Sequence, residues 1–355
     1  MNRDLRILIV DDSAFIRRVL SNIFSQDGSF TQIDTAQNGK IALEKLAQRD
    51  YDVITLDVEM PVMDGIRTLK KIMATKKTPV VLLSSLTSKG AKITMEALEI
   101  GAVDFVTKPQ NLFSTGGSEL ANEIRRKVKL AARINVQSMW ARSSIRKPYD
   151  LKKADYTAVG NEVVKKIIAI GTSTGGPRAL HEVVPEISGD IGAPILIVQH
   201  MPKGFTKSLA DRLNSFSKVY VKEAQDGETL RNGVAYIAPG GIQLKISSYE
   251  KDRYKVKLED SPPVNGHKPS VDAMMESVAD STIDSVVAVI MTGMGGDGAR
   301  GLARLKDVKK AATIAEDEKT CVVYGMPKIA AQTGRVDKVL MLQDIAGEIN
   351  KLMGV

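Results

Sequence analysis

The chain has 355 residues, 43% hydrophobic and 26% charged, which is the composition of a globular protein and the length of two domains. No apolar run is long enough to span a bilayer, so membrane insertion is not expected, and the single cysteine, Cys321, excludes an internal disulfide. The net charge of +8 raises a nucleic-acid partner as one reading, but ten Lys/Arg against the lone Asp150 fall between Arg125 and Lys153. A solvated helix end and a basic linker account for that excess, so no nucleic-acid binding is expected.

In chain order, MNRDLRILIVDD closes a short apolar core with two aspartates, which is no signal peptide and favours the cytoplasm. Strands are predicted at 6–10, 30–36, 52–56, 79–84 and 103–107, alternating with helices. The first helix carries Ile16, Val19, Leu20, Ile23 and Phe24 as a one-sided stripe, with Ser13 placed to cap it. Leu120, Ile124, Val128 and Ala131 give the last helix its apolar face. Such alternation predicts a parallel sheet covered on both sides.

Ligands of such sheets bind beyond the carboxyl ends of the strands. Asp11 and Asp12 end the first strand, Asp57 the third and Ser84 the fourth, and Lys108 follows the fifth. Three neighbouring carboxylates repel one another unless a cation lies among them, and oxygen-only ligation suits Mg²⁺. Lys108 then serves as counter-charge, and Ser84 as hydroxyl donor to a phosphoryl oxygen. The segments VDDS, LDVEMPVMDG, LLSS and FVTKP resemble the receiver domain of two-component response regulators, a flavodoxin-like fold. The resemblance implies that Asp57 accepts a phosphoryl group from a histidine kinase, that Asp11, Asp12 and Asp57 hold Mg²⁺, and that Phe105 is the switch aromatic.

Periodicity fades over residues 135–160, which hold the only tryptophan, Trp140, and read as a linker between domains at 1–134 and 161–355. Strands are then predicted at 166–171, 194–199, 219–224, 234–239 and 285–291. GIQLKIS and RYKVKLED look like a β-hairpin inserted among them.

In IIAIGTSTGGP an apolar strand stops at Gly171, Ser173 stands at the bend, and a Gly-Pro helix start follows. Gly171–Gly175 fits the G-x-S-x-G pattern of a nucleophile elbow. A phosphate-binding or merely connecting glycine turn fits it as well, and the motif alone does not choose. A serine nucleophile needs a base, and the chain has three histidines, His181, His200 and His267. His181 lies about two turns into the following helix and is expected to point away. His200 ends an apolar strand, as the elbow does, and Asp297 follows another in TGMGGDG. Spacing leaves two orders open: Ser173, His200, Asp297, or an acid between Ser173 and a base at His267.

GTSTGGP, QHMPKGF, NGHKPSVDAM, TGMGGDG and CVVYGMP resemble the catalytic domain of the chemotaxis receptor methylesterases, the CheB family, which also carry an N-terminal receiver. The resemblance implies Ser173 as nucleophile, His200 as base, Asp297 as orienting acid, the Met294 N–H as candidate oxyanion donor and His267 as a cleft-lining residue. It also implies a doubly wound α/β catalytic domain that needs no cofactor. The implied activity is hydrolysis of glutamyl methyl esters and deamidation of glutamines on chemoreceptors, gated by the receiver. A receiver-coupled esterase of small molecules and a receiver-controlled nucleic-acid binder are the rival readings.

Overall fold

The computed structural model describes residues 4–108, 117–134 and 163–355. The expected linker and Trp140 lie outside the described residues. Contacts divide the chain into two compact units, Met1–Ser144 and Ile145–Val355.

In the first unit the sheet is wholly parallel, in the order β2-β1-β3-β4-β5. Its strands are β1 (Leu5–Val10), β2 (Phe30–Ala36), β3 (Val53–Asp57), β4 (Val80–Ser84) and β5 (Asp104–Thr107). The helices are α1 (Ala14–Ser25), α2 (Gly39–Gln48), α3 (Gly65–Thr75), α4 (Ser88–Ile100) and α5 (Gly117–Ala131). α2, α3 and α4 touch in series while α1 meets α5, so each set covers one face of the sheet. The central strands are buried on both sides, and this is why they read as unbroken apolar runs. Ser13 caps α1 by accepting the Ile16 N–H.

In the second unit a seven-stranded parallel sheet runs β14-β13-β12-β6-β7-β9-β8. It comprises β6 (Lys166–Thr172), β7 (Ile195–Gln199), β8 (Tyr220–Glu223), β9 (Val234–Ile237), β12 (Ser285–Ile290), β13 (Ala312–Glu316) and β14 (Lys338–Leu340). The expected hairpin is present as β10 (Gln243–Glu250) with β11 (Arg253–Glu259). Helix α6 (Gly176–Val183) touches both α7 (Phe205–Asn214) and α11 (Leu342–Met353) on one side. On the other side lie α8 (Val271–Ala279), α9 (Ala299–Lys309) and α10 (Met326–Gln332), with the hairpin against α8. β13 and β14 were not among the strands expected. β14 is a three-residue edge strand with little buried surface, too short to leave a periodic signal.

The order of this sheet reverses at β6: β7 lies to one side and β12 to the other. Such a switch point opens a crevice between the loops that leave toward opposite faces. Leu302 of α9 is fully buried in the hydrophobic core of the second unit. Leu302→Ala is expected to destabilise the second unit by about 3 kcal/mol, read as a lower urea midpoint of its unfolding transition.

Candidate functional site

In the first unit the strand ends bring the predicted acids together. Single carboxylate oxygens of Asp11, Asp12 and Asp57 lie within 4.8 Å of one another. Asp11 and Asp57 are buried, and Asp12 is exposed. The Lys108 ammonium stands 2.6 Å from Asp57 Oδ2 and 3.3 Å from Asp11 Oδ2. The Ser13 N–H donates to Asp11 Oδ1 at 2.9 Å, and the Glu59 N–H donates to Asp57 Oδ1 at 3.2 Å. Burial outweighs the pull of Lys108 and, with Asp11 adding repulsion, pushes the Asp57 carboxyl up to about 6. The Asp11 carboxyl is raised by burial too.

Oxygens of Asp11 and Asp57 are buried with no aligned hydrogen bond, and the cluster offers only oxygen ligands. That donor set fits a small hard cation such as Mg²⁺. Ser84 is buried, with its Oγ 2.7 Å from Thr94 Oγ1. Phe105 is also buried, and the Lys127 ammonium lies 5.2 Å from its ring centre.

The second constellation occupies three adjacent strand ends. Ser173 follows β6, His200 follows β7, and Asp297 lies in the loop after β12. The elbow is mounted by backbone bonds. The Ser173 N–H donates to the Thr292 carbonyl at 3.0 Å, and the Gly176 N–H to the Ser173 carbonyl at 2.8 Å. Gln199 also donates to that carbonyl, at 3.0 Å, and the His200 N–H meets the Thr172 carbonyl at 3.2 Å. Gly175 is left-handed, with φ +78°, and a Cβ there would lie 2.4 Å from Val322 Cβ. Only glycine fits both the turn and the space.

His200 Nε2 and Asp297 Oδ2 are 2.8 Å apart. Asp297 is buried and fully employed. Its Oδ2 also accepts the Val271 N–H at 2.7 Å. Its Oδ1 accepts from the Ser270 hydroxyl at 2.8 Å and the Asp272 N–H at 3.1 Å. Three of these donors belong to the cap and first turn of α8, whose dipole favours an anion. Burial alone would raise this carboxyl, but His200, Ser270 and Val271 hold it at about 2.

A carboxylate so held accepts only, so the proton of a neutral His200 resides on Nε2. The lone pair is then on Nδ1, which is buried and has no hydrogen-bond partner. No hydrogen bond joins Ser173 Oγ to His200. The structure joins His200 to Asp297 and seats Ser173 on the neighbouring strand end. Bonds of this kind are commonly long until substrate closes them.

His181 turns away, its ring edge-on to Phe216 at 5.3 Å between centroids. His267 lies flat against His200, with centroids 3.9 Å apart and planes 4° apart. Among the described residues the only acid bonded to His200 is Asp297, which favours the order Ser173, His200, Asp297. Met294 is half-buried beside the elbow.

Two acids escaped the reading of the sequence. Asp272 mirrors Asp297: it accepts the Gly298 and Gly301 N–H groups at the start of α9, at 3.0 and 2.7 Å. Glu316, wholly buried at the end of β13, accepts the Thr292 N–H at 2.8 Å, and burial pushes it up to about 7. The helix-start pattern S-V-D in NGHKPSVDAM was the available sign for Asp272. Nothing in the sequence marked Glu316.

Asp297→Ala is expected to cost about 3 kcal/mol by leaving buried N–H groups without an acceptor. The depressed carboxyl supplies its full stability above about pH 4 and loses it as the pH falls through 2. The deficit of the variant in urea unfolding should therefore shrink between those values.

Comparison with known proteins covers both units. Residues 168–349 match the CheB methylesterase family, and residues 7–136 match the response regulator receiver domain. A protein-glutamate methylesterase/protein-glutamine glutaminase of Geobacillus kaustophilus is 45% identical over 99% of both chains. One of Archaeoglobus fulgidus bearing the same name is 44% identical, again over 99% of both chains. The crystal structure of the Thermotoga maritima CheB methylesterase catalytic domain superposes with a TM-score of 0.51 at 43% identity. It covers 53% of this chain and 98% of its own. A family match across the second unit and relatives of 44–45% identity along the whole length show that the chain belongs to the CheB methylesterase family, with a receiver domain over residues 7–136.

Proposed function

We propose that the chain hydrolyses glutamyl methyl esters, and deamidates glutamines, on chemoreceptors in the cytoplasm, under control of phosphorylation at Asp57. The observation that carries this reading is the state of His200: Nε2 on a fixed carboxylate, Nδ1 buried and unpartnered beside the Ser173 strand end. Nδ1 takes the Ser173 proton as Oγ attacks the ester carbonyl. The charge that develops on His200 is balanced by Asp297. The oxyanion is met by backbone N–H groups, with Met294 the candidate donor. His200 returns the proton to the departing methoxide oxygen, which leaves as methanol, or to the departing amide nitrogen of a glutamine, which leaves as ammonia. It then activates water to cleave the glutamyl-serine ester.

A methyl ester offers few remote contacts, so the receptor helix must supply most of the binding energy. Identity of 45% along the whole length of a relative named for protein glutamate favours a protein substrate over a small free ester.

In the receiver, Asp11, Asp12 and Asp57 would hold Mg²⁺, which shields the charge of the incoming phosphoryl group. Asp57 Oδ receives that group from a chemotaxis histidine kinase. Lys108 and Ser84 meet its oxygens, and Phe105 answers the change by repacking.

Ser173→Ala should bring methanol release from methylated receptor membranes to background with the unfolding midpoint retained. Persistent release would identify a different nucleophile. Asp297→Asn should lower kcat by about 10³–10⁴-fold, because an amide facing the imidazole favours the wrong tautomer. Chelating divalent cations should abolish stimulation by a phosphodonor yet leave basal methanol release intact. Loss of basal release under chelation would place a metal in the esterase itself.

A further inference from the structure

His267 is placed with more care than a cleft-lining residue requires. Asn265 and Gly266 both have positive φ, +53° and +78°, which makes the tight two-residue turn that joins antiparallel segments. Its flanks are bonded both ways: Val264 N–H to the His267 carbonyl at 3.0 Å, and His267 N–H to the Val264 carbonyl at 2.9 Å. Gln243 donates to the same His267 carbonyl at 3.1 Å. Asn265 donates to Asp272 at 2.8 Å, which ties the turn to the start of α8. One segment, 264–272, therefore supplies both the ring that faces His200 and the N–H groups that hold Asp297.

Two neutral aromatic rings prefer an offset or tilted approach to a full face-to-face stack. The pair here is parallel within 4° at 3.9 Å. That arrangement becomes attractive when one ring carries positive charge over the π-face of the other. Lys268, next in sequence, is paired with Asp260, so its charge is already committed. The charge that forms during the reaction is on His200.

We propose that His267 is a positioning residue for the catalytic base: its ring fixes the plane of His200 and offers its π-face to the imidazolium that forms as Ser173 is deprotonated. The proposal rests on His200 being that base. Because the imidazolium exists only as attack proceeds, the stack strengthens in the transition state, and its loss is felt in kcat and not in KM.

The test uses the full chain and methylated receptor membranes, with two variants. His267→Phe keeps a flat π-face and cannot titrate, while His267→Leu removes the ring at similar bulk. The Phe variant should retain kcat within about threefold, and the Leu variant should lose about tenfold at unchanged KM, the scale of a partly desolvated cation–π contact. With three histidines in the chain, ring NMR signals can be assigned individually. The His200 signals should keep their ring-current shift in the Phe variant and lose it in the Leu variant, while His181, on Phe216, reports that each variant is folded. If Leu does not fold, His267→Met replaces it. A ringless variant equal to the parent, or a Phe variant as slow as the ringless one, overturns the proposal. Full activity in His200→Ala would instead overturn the assignment of the base, and the ring-current result would stand apart from it.

Discussion

The Asp297 carboxylate at the start of α8 is the interaction on which the chemistry proposed for the second unit depends. A carboxylate taken out of water is costly unless its lone pairs are met. Here His200, the Ser270 hydroxyl and the N–H groups of Val271 and Asp272 meet them. Asp272 repays the bond in kind by accepting from the start of α9. Each helix start thus holds the acid that belongs to the other segment. The loop carrying Asp297 cannot shift without breaking both clasps. The tautomer of His200, and hence the direction of its lone pair, follows from this lock between helices.

Asp57 shows what the same burial does without such donors. Burial opposes the charge of both carboxyls, yet Asp297 is held at about 2 while Asp57 is pushed up to about 6. Asp57 has one backbone donor and the Lys108 ammonium, and Asp11 beside it repels. One acid is a permanent charge that orients a neighbour. The other is under-satisfied, a state suited to a group that must bind a cation or take on a substituent. Sequence position at a strand end is common to both, and the count of donors separates their roles.

Much of this was legible before coordinates. Alternating apolar runs gave both parallel sheets, because buried central strands need apolar residues on both faces. The strand-end residues Asp11, Asp57, Lys108, Ser173 and His200 could be placed because a strand end is a short-range feature. The identity of the base could not be derived from spacing, since His200 and His267 both lie near the site and stack on each other. Asp272 and Glu316 act through bonds to segments 26 and 24 residues away, Gly298 and Thr292. Such pairings depend on how α8, α9 and β13 pack, and a window of sequence does not contain that. β14 escaped because its exposed edge residues carry no alternation.

The mounting of the serine leaves one degree of freedom where it is needed. The Ser173 backbone is held by Thr292, Gly176 and Gln199, and a Cβ on Gly293 would lie 2.8 Å from the Ser173 Cβ. Thr292 is in turn fixed from beneath by Glu316, and by its hydroxyl, which donates to the Thr174 carbonyl at 2.9 Å. With the backbone held in this way, the proposed contact of Oγ with His200 would be made by rotation of the serine side chain. Rotation of one short side chain costs little entropy compared with ordering a loop. A site built this way holds His200, Asp297 and the turn at Ser173 in place and leaves only the proposed Ser173–His200 hydrogen bond to be made. On the proposed mechanism, substrate binding would close that bond, so that the glutamyl side chain completes the geometry that acts on it.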